Sequence, residues 1–109
     1  MLGDRPFLSL GDDCYLDLTK EIMVKDEFRI ALSRIQFRLV YCLGLNLGTP
    51  VTNDELIKFA WGDDAFVNRG ELYVYINRIR QRLEDDWRKP QYLFSLRGVG
   101  YVLYSRHKS

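Results

Sequence analysis

What most limits the fold of this chain is a helix-opening signature that occurs three times. In Leu32-Ser33-Arg34-Ile35-Gln36-Phe37, the Ser33 hydroxyl is placed to accept from the backbone N–H of Gln36 while the Gln36 side chain reaches back to Ser33. Leu32 and Phe37 can close over that cap as an apolar staple. Val51-Thr52-Asn53-Asp54-Glu55-Leu56 repeats the pattern, with Thr52 and Glu55 as the box, Val51 and Leu56 as the staple, and two acids near the positive end of the helix dipole. Val67-Asn68-Arg69-Gly70-Glu71-Leu72 repeats it again, with Asn68 as the cap and Glu71 as its reciprocal partner. One such box is a weak signal; three, each opening an apolar-periodic run, predict three helices. The first ends near residues 44–48, the second at Trp61-Gly62 and the third at Glu84, and the short connections between them set the helices side by side.

On either side of the helices the pattern is extended. Phe7-Leu8-Ser9-Leu10, Tyr15-Leu16-Asp17-Leu18, Glu21-Ile22-Met23-Val24 and Phe28-Arg29-Ile30-Ala31-Leu32 are short, partly alternating runs split by polar turns, which predicts a four-stranded antiparallel meander. After Pro90, Gln91-Tyr92-Leu93-Phe94-Ser95-Leu96 and Tyr101-Val102-Leu103-Tyr104 flank Arg97-Gly98-Val99-Gly100 and read as a terminal β-hairpin. The expected architecture is α+β: a sheet over residues 7–32, a three-helix core over 33–85 and a hairpin over 91–104, with residues 105–109 frayed. At 109 residues the sequence suits one domain, 1–109, and is too short for a Rossmann or barrel enzyme.

Composition excludes several classes. Hydrophobic residues are 47% and charged residues 28%, as in soluble globular proteins rather than disordered or fibrous chains. The longest uncharged stretch, residues 39–53, contains two glycines, two asparagines and a proline, and falls short of the roughly 20 apolar residues of a membrane span. The N-terminus has an acid and a proline where a secretory leader places basic and then apolar residues. Cys14 and Cys42, far apart in apolar surroundings, support neither a disulfide framework nor a zinc site. A reducing cytoplasm is the expected compartment. Catalysis is not expected: the single histidine, His107, lies in the tail, and the acid pairs Asp12-Asp13, Asp63-Asp64 and Asp85-Asp86 read as solvated turn charges. Gly98-Val99-Gly100 lacks the third glycine and the helix start of a phosphate-cradling loop. No metal or cofactor is expected.

Net charge is only +1, but it is unevenly spread: residues 1–66 carry 7 basic and 11 acidic side chains, residues 67–109 carry 9 and 4. The basic pole falls on the third helix and the hairpin. At about 100° per residue, Leu72, Ile76, Ile79 and Leu83 form a buried stripe. The opposite side then carries Gly70, Val74, Asn77, Arg78 and Gln81, with Arg80 and Arg82 on its flanks and Tyr73 and Tyr75 between core and surface. That set suits a DNA major groove, where arginine can pair with guanine, asparagine or glutamine with adenine, and a valine with a thymine methyl. Arg, Asn and Gln on an exposed helix are equally the make-up of an ordinary solvated face. The hairpin favours the DNA reading, since Arg97 at its turn can reach a minor groove or a phosphate.

Over residues 15–104 the chain resembles the OmpR/PhoB-type winged-helix DNA-binding domain, the effector half of many bacterial two-component response regulators. The resemblance rests on Leu32-Ser33 with Phe37-Arg38-Leu39, on Glu55-Leu56 followed by Trp61-Gly62, on Tyr75-Ile76-Asn77-Arg78-Ile79-Arg80 continuing to Leu83-Glu84, and on Arg97-Gly98-Val99-Gly100-Tyr101. It implies a third helix in the major groove and a hairpin wing at the minor groove of double-stranded DNA, commonly with paired copies on tandem half-sites. By position it implies DNA contacts from Tyr75, Asn77 and Arg78, and from Ser95, Arg97 and Tyr101 in the wing. It further implies that Trp61, Gly62, Asp63, Asp64, Ala65 and Phe66 match a loop that some members turn toward RNA polymerase. Two departures stand out: Gly70 falls where relatives often carry Arg or Asn, so that Arg69 takes over the phosphate contact, and Asn77 replaces a residue that is often basic or serine. The receiver domain that would bear a phosphoacceptor aspartate has no residues left for it here, which fits an excised effector domain or a stand-alone regulator. The rival reading is a winged-helix module that docks proteins without binding DNA.

Overall fold

The computed structural model describes residues 6–107. The elements are β1 (Phe7–Ser9), β2 (Cys14–Asp17), β3 (Ile22–Lys25), β4 (Phe28–Ala31), α1 (Arg34–Gly44), β5 (Val51–Thr52), α2 (Asn53–Trp61), α3 (Arg69–Leu83), β6 (Leu93–Leu96) and β7 (Gly100–Leu103). Strands β1 to β4 form an antiparallel meander in chain order. Its inward row includes Leu16 paired with Met23, both fully buried. The β3–β4 reversal places Lys25 opposite Phe28 with both intervening residues, Asp26 and Glu27, at positive φ, as the favoured two-residue hairpin turn requires.

Both reciprocal caps predicted for the first and third helices are present, Ser33 with Gln36 and Asn68 with Glu71. At α2 the box differs. Thr52 accepts from the Glu55 N–H at 3.1 Å, but its hydroxyl donates to the Glu55 carboxylate at 2.9 Å, so the side chains bond to each other. Residues 51–52 are already a strand: β5 pairs with β7, making a three-stranded sheet, β5-β7-β6, in place of the expected two-stranded hairpin. Gly100 permits this pairing, since a Cβ there would overlap the Val51 carbonyl.

The predicted stripe of α3, Leu72, Ile76, Ile79 and Leu83, is fully buried. It joins Leu39, Val40 and Leu43 of α1, Leu56 and Ala60 of α2, and Leu93 and Leu103 of the wing in one cluster. Each of these leucine, isoleucine and valine side chains contributes about 1.5–3 kcal/mol by leaving water, so helices and wing are held as one body by the same apolar contacts.

The tail departs from the expected fraying. Arg106 is buried; its backbone N–H donates to the Leu10 carbonyl and its own carbonyl accepts from the Asp12 N–H, each at 2.8 Å. The guanidinium donates to the Leu83 carbonyl at 2.9 Å, lies 3.4 Å from Asp85 and 3.7 Å from Asp26, and stacks over Tyr92. A stretch with no sequence periodicity is therefore fixed by tertiary partners. Asp85, read from sequence as a solvated turn charge, stays mostly exposed while pairing with Arg106. Residues 108–109 of the expected frayed tail, and residues 1–5 on which the leader argument mostly rests, lie outside the described residues. No helix among the described residues is long and apolar enough to cross a membrane, and Cys14 and Cys42 are buried free thiols.

Candidate nucleic-acid interface

Helix α3 has three sides besides its buried stripe. Gly70, Val74 and Gln81 are exposed and point away from the core. A second side turns toward α2, where the Tyr75 ring meets Trp61 edge-to-face at 5.2 Å and the Arg78 guanidinium lies 5.7 Å over the same ring. Arg78 is exposed while Tyr75 is half-buried. Trp61 and the aromatic face of Tyr75 thus support Arg78 from beneath. A third side, with Arg69, Tyr73, Asn77 and Arg80 at helical spacing, turns toward the wing.

Arg80 corrects the sequence reading. Expected on the flank of the cationic surface, it is only 6% exposed. Its Nε donates to the Leu93 carbonyl at 3.1 Å, one terminal nitrogen to Asn77 Oδ1 at 3.0 Å and the other to Ser95 Oγ at 3.0 Å. The helical wheel could not show this, because the burial comes from β6 folding back over that edge of α3. One turn later the buried Glu84 accepts from the backbone N–H groups of Gln91, Tyr92 and Leu93. An arginine and a glutamate four residues apart therefore hold successive backbone groups of the wing. Sequence reasoning noted Glu84 only as a helix end; its spacing from Arg80 was the available signal.

The wing turn has Gly98 at φ 76°, a left-handed conformation that a side chain would strain, and the Val99 N–H closes it on the Leu96 carbonyl. Arg97 and Ser95 are exposed on the wing, whereas Tyr101, opposite Ser95 in the β6–β7 register, is buried with 6% exposure. Burial pushes the Tyr101 phenol above its ordinary pKa, with Tyr73 adding to the rise and with Arg80 and a hydrogen bond to Ser95 opposing it. Arg69, Gly70 and Tyr73 line one open groove with Ser95, Arg97 and Tyr101. The start of α3 and the wing therefore border the same groove, Tyr101 at its floor rather than its rim. Tyr73, half exposed there, was not singled out, although its place four residues from both Arg69 and Asn77 could have shown it.

The α2–α3 connection also separates into two parts. Gly62, Asp63, Asp64 and Phe66 are exposed and Ala65 is half-buried, Phe66 being the most exposed large apolar side chain described. Trp61 belongs instead to the packed brace beneath Tyr75. Among the described residues no group of three or more His, Cys, Asp or Glu side chains could hold a metal ion.

A meander, three helices with an exposed, arginine-bearing third helix, and a three-stranded wing beside it define an OmpR/PhoB-type winged-helix DNA-binding domain, the effector type of response regulators. The chain belongs to the family described as transcriptional regulatory protein, C terminal, whose model matches residues 26–103. It is similar to the KDP operon transcriptional regulatory protein KdpE of Escherichia coli strain K12, 32% identical over 89 residues, covering 82% of this chain and 40% of that protein. The chain thus spans well under half the length of that relative. Among solved structures it resembles the response regulator DrrB, an OmpR/PhoB homologue from Thermotoga maritima (TM-score 0.78, 30% identity, 91% of this chain and 44% of that one). It also resembles the DNA-binding domain of CpxR from E. coli (TM-score 0.78, 25% identity, 92% and 97%).

Proposed function

We propose that this chain is a single winged-helix domain that reads duplex DNA with α3 in the major groove and the wing at the adjacent minor groove, as the output domain of a two-component response regulator. The observation that carries this reading is the groove shared by the start of α3 and the wing, with Arg69 and Arg97 at its border. Arg78, braced on Tyr75, pairs with guanine; Val74 meets a thymine methyl and Gln81 a neighbouring base edge. Arg69 and Arg97 neutralise phosphates, and Asn77 and Ser95 complete the surface between them. Tyr75 and Tyr101 act by packing, the first under Arg78 and the second at the groove floor.

The exposed loop with Asp63, Asp64 and Phe66 is offered to RNA polymerase, and two copies bind tandem half-sites so that linkage raises the affinity of each. Selection from a random duplex library, followed by a salt titration on the selected sequence, tests the reading. A consensus with repeated half-sites, and log affinity falling by about 0.9 per phosphate neutralised for each unit of log salt, is the expected result. No consensus and no uniform salt slope would leave the protein-docking reading in its place.

A further inference from the structure

We infer that Arg80 sets the base preference of Asn77, so that Asn77 reads a guanine rather than the adenine usually paired with asparagine. This rests on the DNA-binding reading above and specifies one contact within it.

A guanidinium has five N–H donors and no acceptor. The Asn77 atom that faces Arg80 at 3.0 Å must therefore be the amide oxygen, and the NH2 group lies on the other side of that planar group. Flipping the amide would set donor against donor. Arg80 is not free to move aside, because its other nitrogens are held by the Leu93 carbonyl and Ser95 Oγ, and the side chain is buried. Asn77 is half-buried on the strip of α3 between the wing and the outward face, and no hydrogen bond from another described residue takes its NH2 protons. It presents donors to whatever enters the groove.

Asparagine reads adenine by accepting from the N6 amino group with its oxygen while donating to N7. Here that oxygen already lies against a buried cation, so an incoming N6 amino group would bring its own positive edge toward the guanidinium. Guanine offers O6 and N7 in the same place, both acceptors. Its edge matches the NH2 group and is attracted by the nearby positive charge of Arg80. Arg80 is thus a positioning residue that acts on base choice through Asn77 and holds the wing through Ser95 and Leu93.

The test is selection from a random duplex library with the full chain, comparing the wild type with Asn77→Ala and Arg80→Met, each checked for folding by circular dichroism. Asn77→Ala should flatten the preference at one G·C position by about tenfold, the weight of one good base contact. Arg80→Met should move that position toward A·T, and Arg80→Lys, which keeps a donor, should retain G·C. A purely structural Arg80 would weaken binding evenly across sequences without changing the preferred base. Loss of preference at an A·T pair in Asn77→Ala, or at no position, overturns the inference while leaving DNA binding intact, and this variant decides whether Asn77 reads guanine even if Arg80→Met does not fold. A wild type that selects no consensus overturns both this inference and the DNA reading.

Discussion

The carboxylate of Glu84 holds the backbone N–H of Tyr92 at 3.0 Å, and the same carboxylate holds those of Gln91 and Leu93 at 2.8 Å each. The first residue after α3 therefore fixes where the wing begins. Glu84→Gln replaces one acceptor oxygen with a donor and leaves a buried N–H facing an NH2 group. The expected loss is about 1–3 kcal/mol, read as a lower urea midpoint. DNA affinity should fall with the preference at the Arg78 base pair unchanged, because the wing shifts while the outward side of α3 is untouched. An unaltered midpoint would show that the three N–H bonds do not set stability.

How much of this was legible in the sequence depends on the range of the interactions concerned. The caps at Ser33 and Asn68 and the stripe through Ile76 and Ile79 are local or periodic, and each forms as the spacing predicts. Strand β5 is two residues long, shorter than any alternation that could reveal it. Arg80 and Arg106 looked like surface charge because helix position and tail position both favour exposure. Only the return of β6 and the approach of Gly11 enclose them. The exposed cationic face is correspondingly narrower than the charge count of the C-terminal part implies. Of the candidate site, Arg69, Val74, Arg78, Gln81 and Arg97 are exposed as expected, while Asn77, Ser95 and Tyr101 are tied into the network around Arg80.

The two buried thiols give stability an alkaline dependence. Burial pushes Cys14 from 9.0 up to about 11, with Arg106 and Lys25 opposing the rise and Asp26 adding to it. Burial likewise takes Cys42 to about 11, reinforced by Glu55. In the unfolded chain a thiol ionises near its ordinary value, so above about pH 9 the unfolded state binds fewer protons than the folded one and stability falls as pH rises toward 11. Below pH 9 these groups impose no slope. Urea midpoints should decline between pH 9 and pH 10.5 more than between pH 8 and pH 9, and less steeply in a Cys14→Ala, Cys42→Ala double variant. Equal slopes in the two proteins would mean that the thiols do not contribute.

Arg106 and Asp85 form an ion pair at 3.4 Å, yet the two should respond very differently to substitution. The Arg106 side chain is 6% exposed and the Asp85 side chain 64%. Arg106→Ala removes the donor to the Leu83 carbonyl and the stacking on Tyr92, at a cost of about 2 kcal/mol. Asp85→Asn alters a mostly hydrated partner and should cost less than about 1 kcal/mol. Urea denaturation of the two variants separates them. Comparable losses would place the stabilisation in the charge pair rather than in the buried hydrogen bond and ring contact.

Arg78 and Arg97 should fail in distinguishable ways on DNA. Arg78 stands on the Tyr75 ring, which rests in turn on Trp61, so its guanidinium meets a base edge from a supported position. Removing it should cost about 1–3 kcal/mol on the selected duplex and relax the preference at one base pair. Arg97 sits beside the Gly98 turn of the wing, where a charge can follow the phosphate backbone. Arg97→Ala should weaken all duplexes alike and make the plot of log affinity against log salt shallower by about 0.9. Fluorescence anisotropy on the selected and a scrambled duplex, each at several salt concentrations, measures both quantities. The assignment fails if Arg78→Ala weakens the two duplexes equally, or if Arg97→Ala leaves the salt slope as it was, because each outcome exchanges the role given to that arginine for the other.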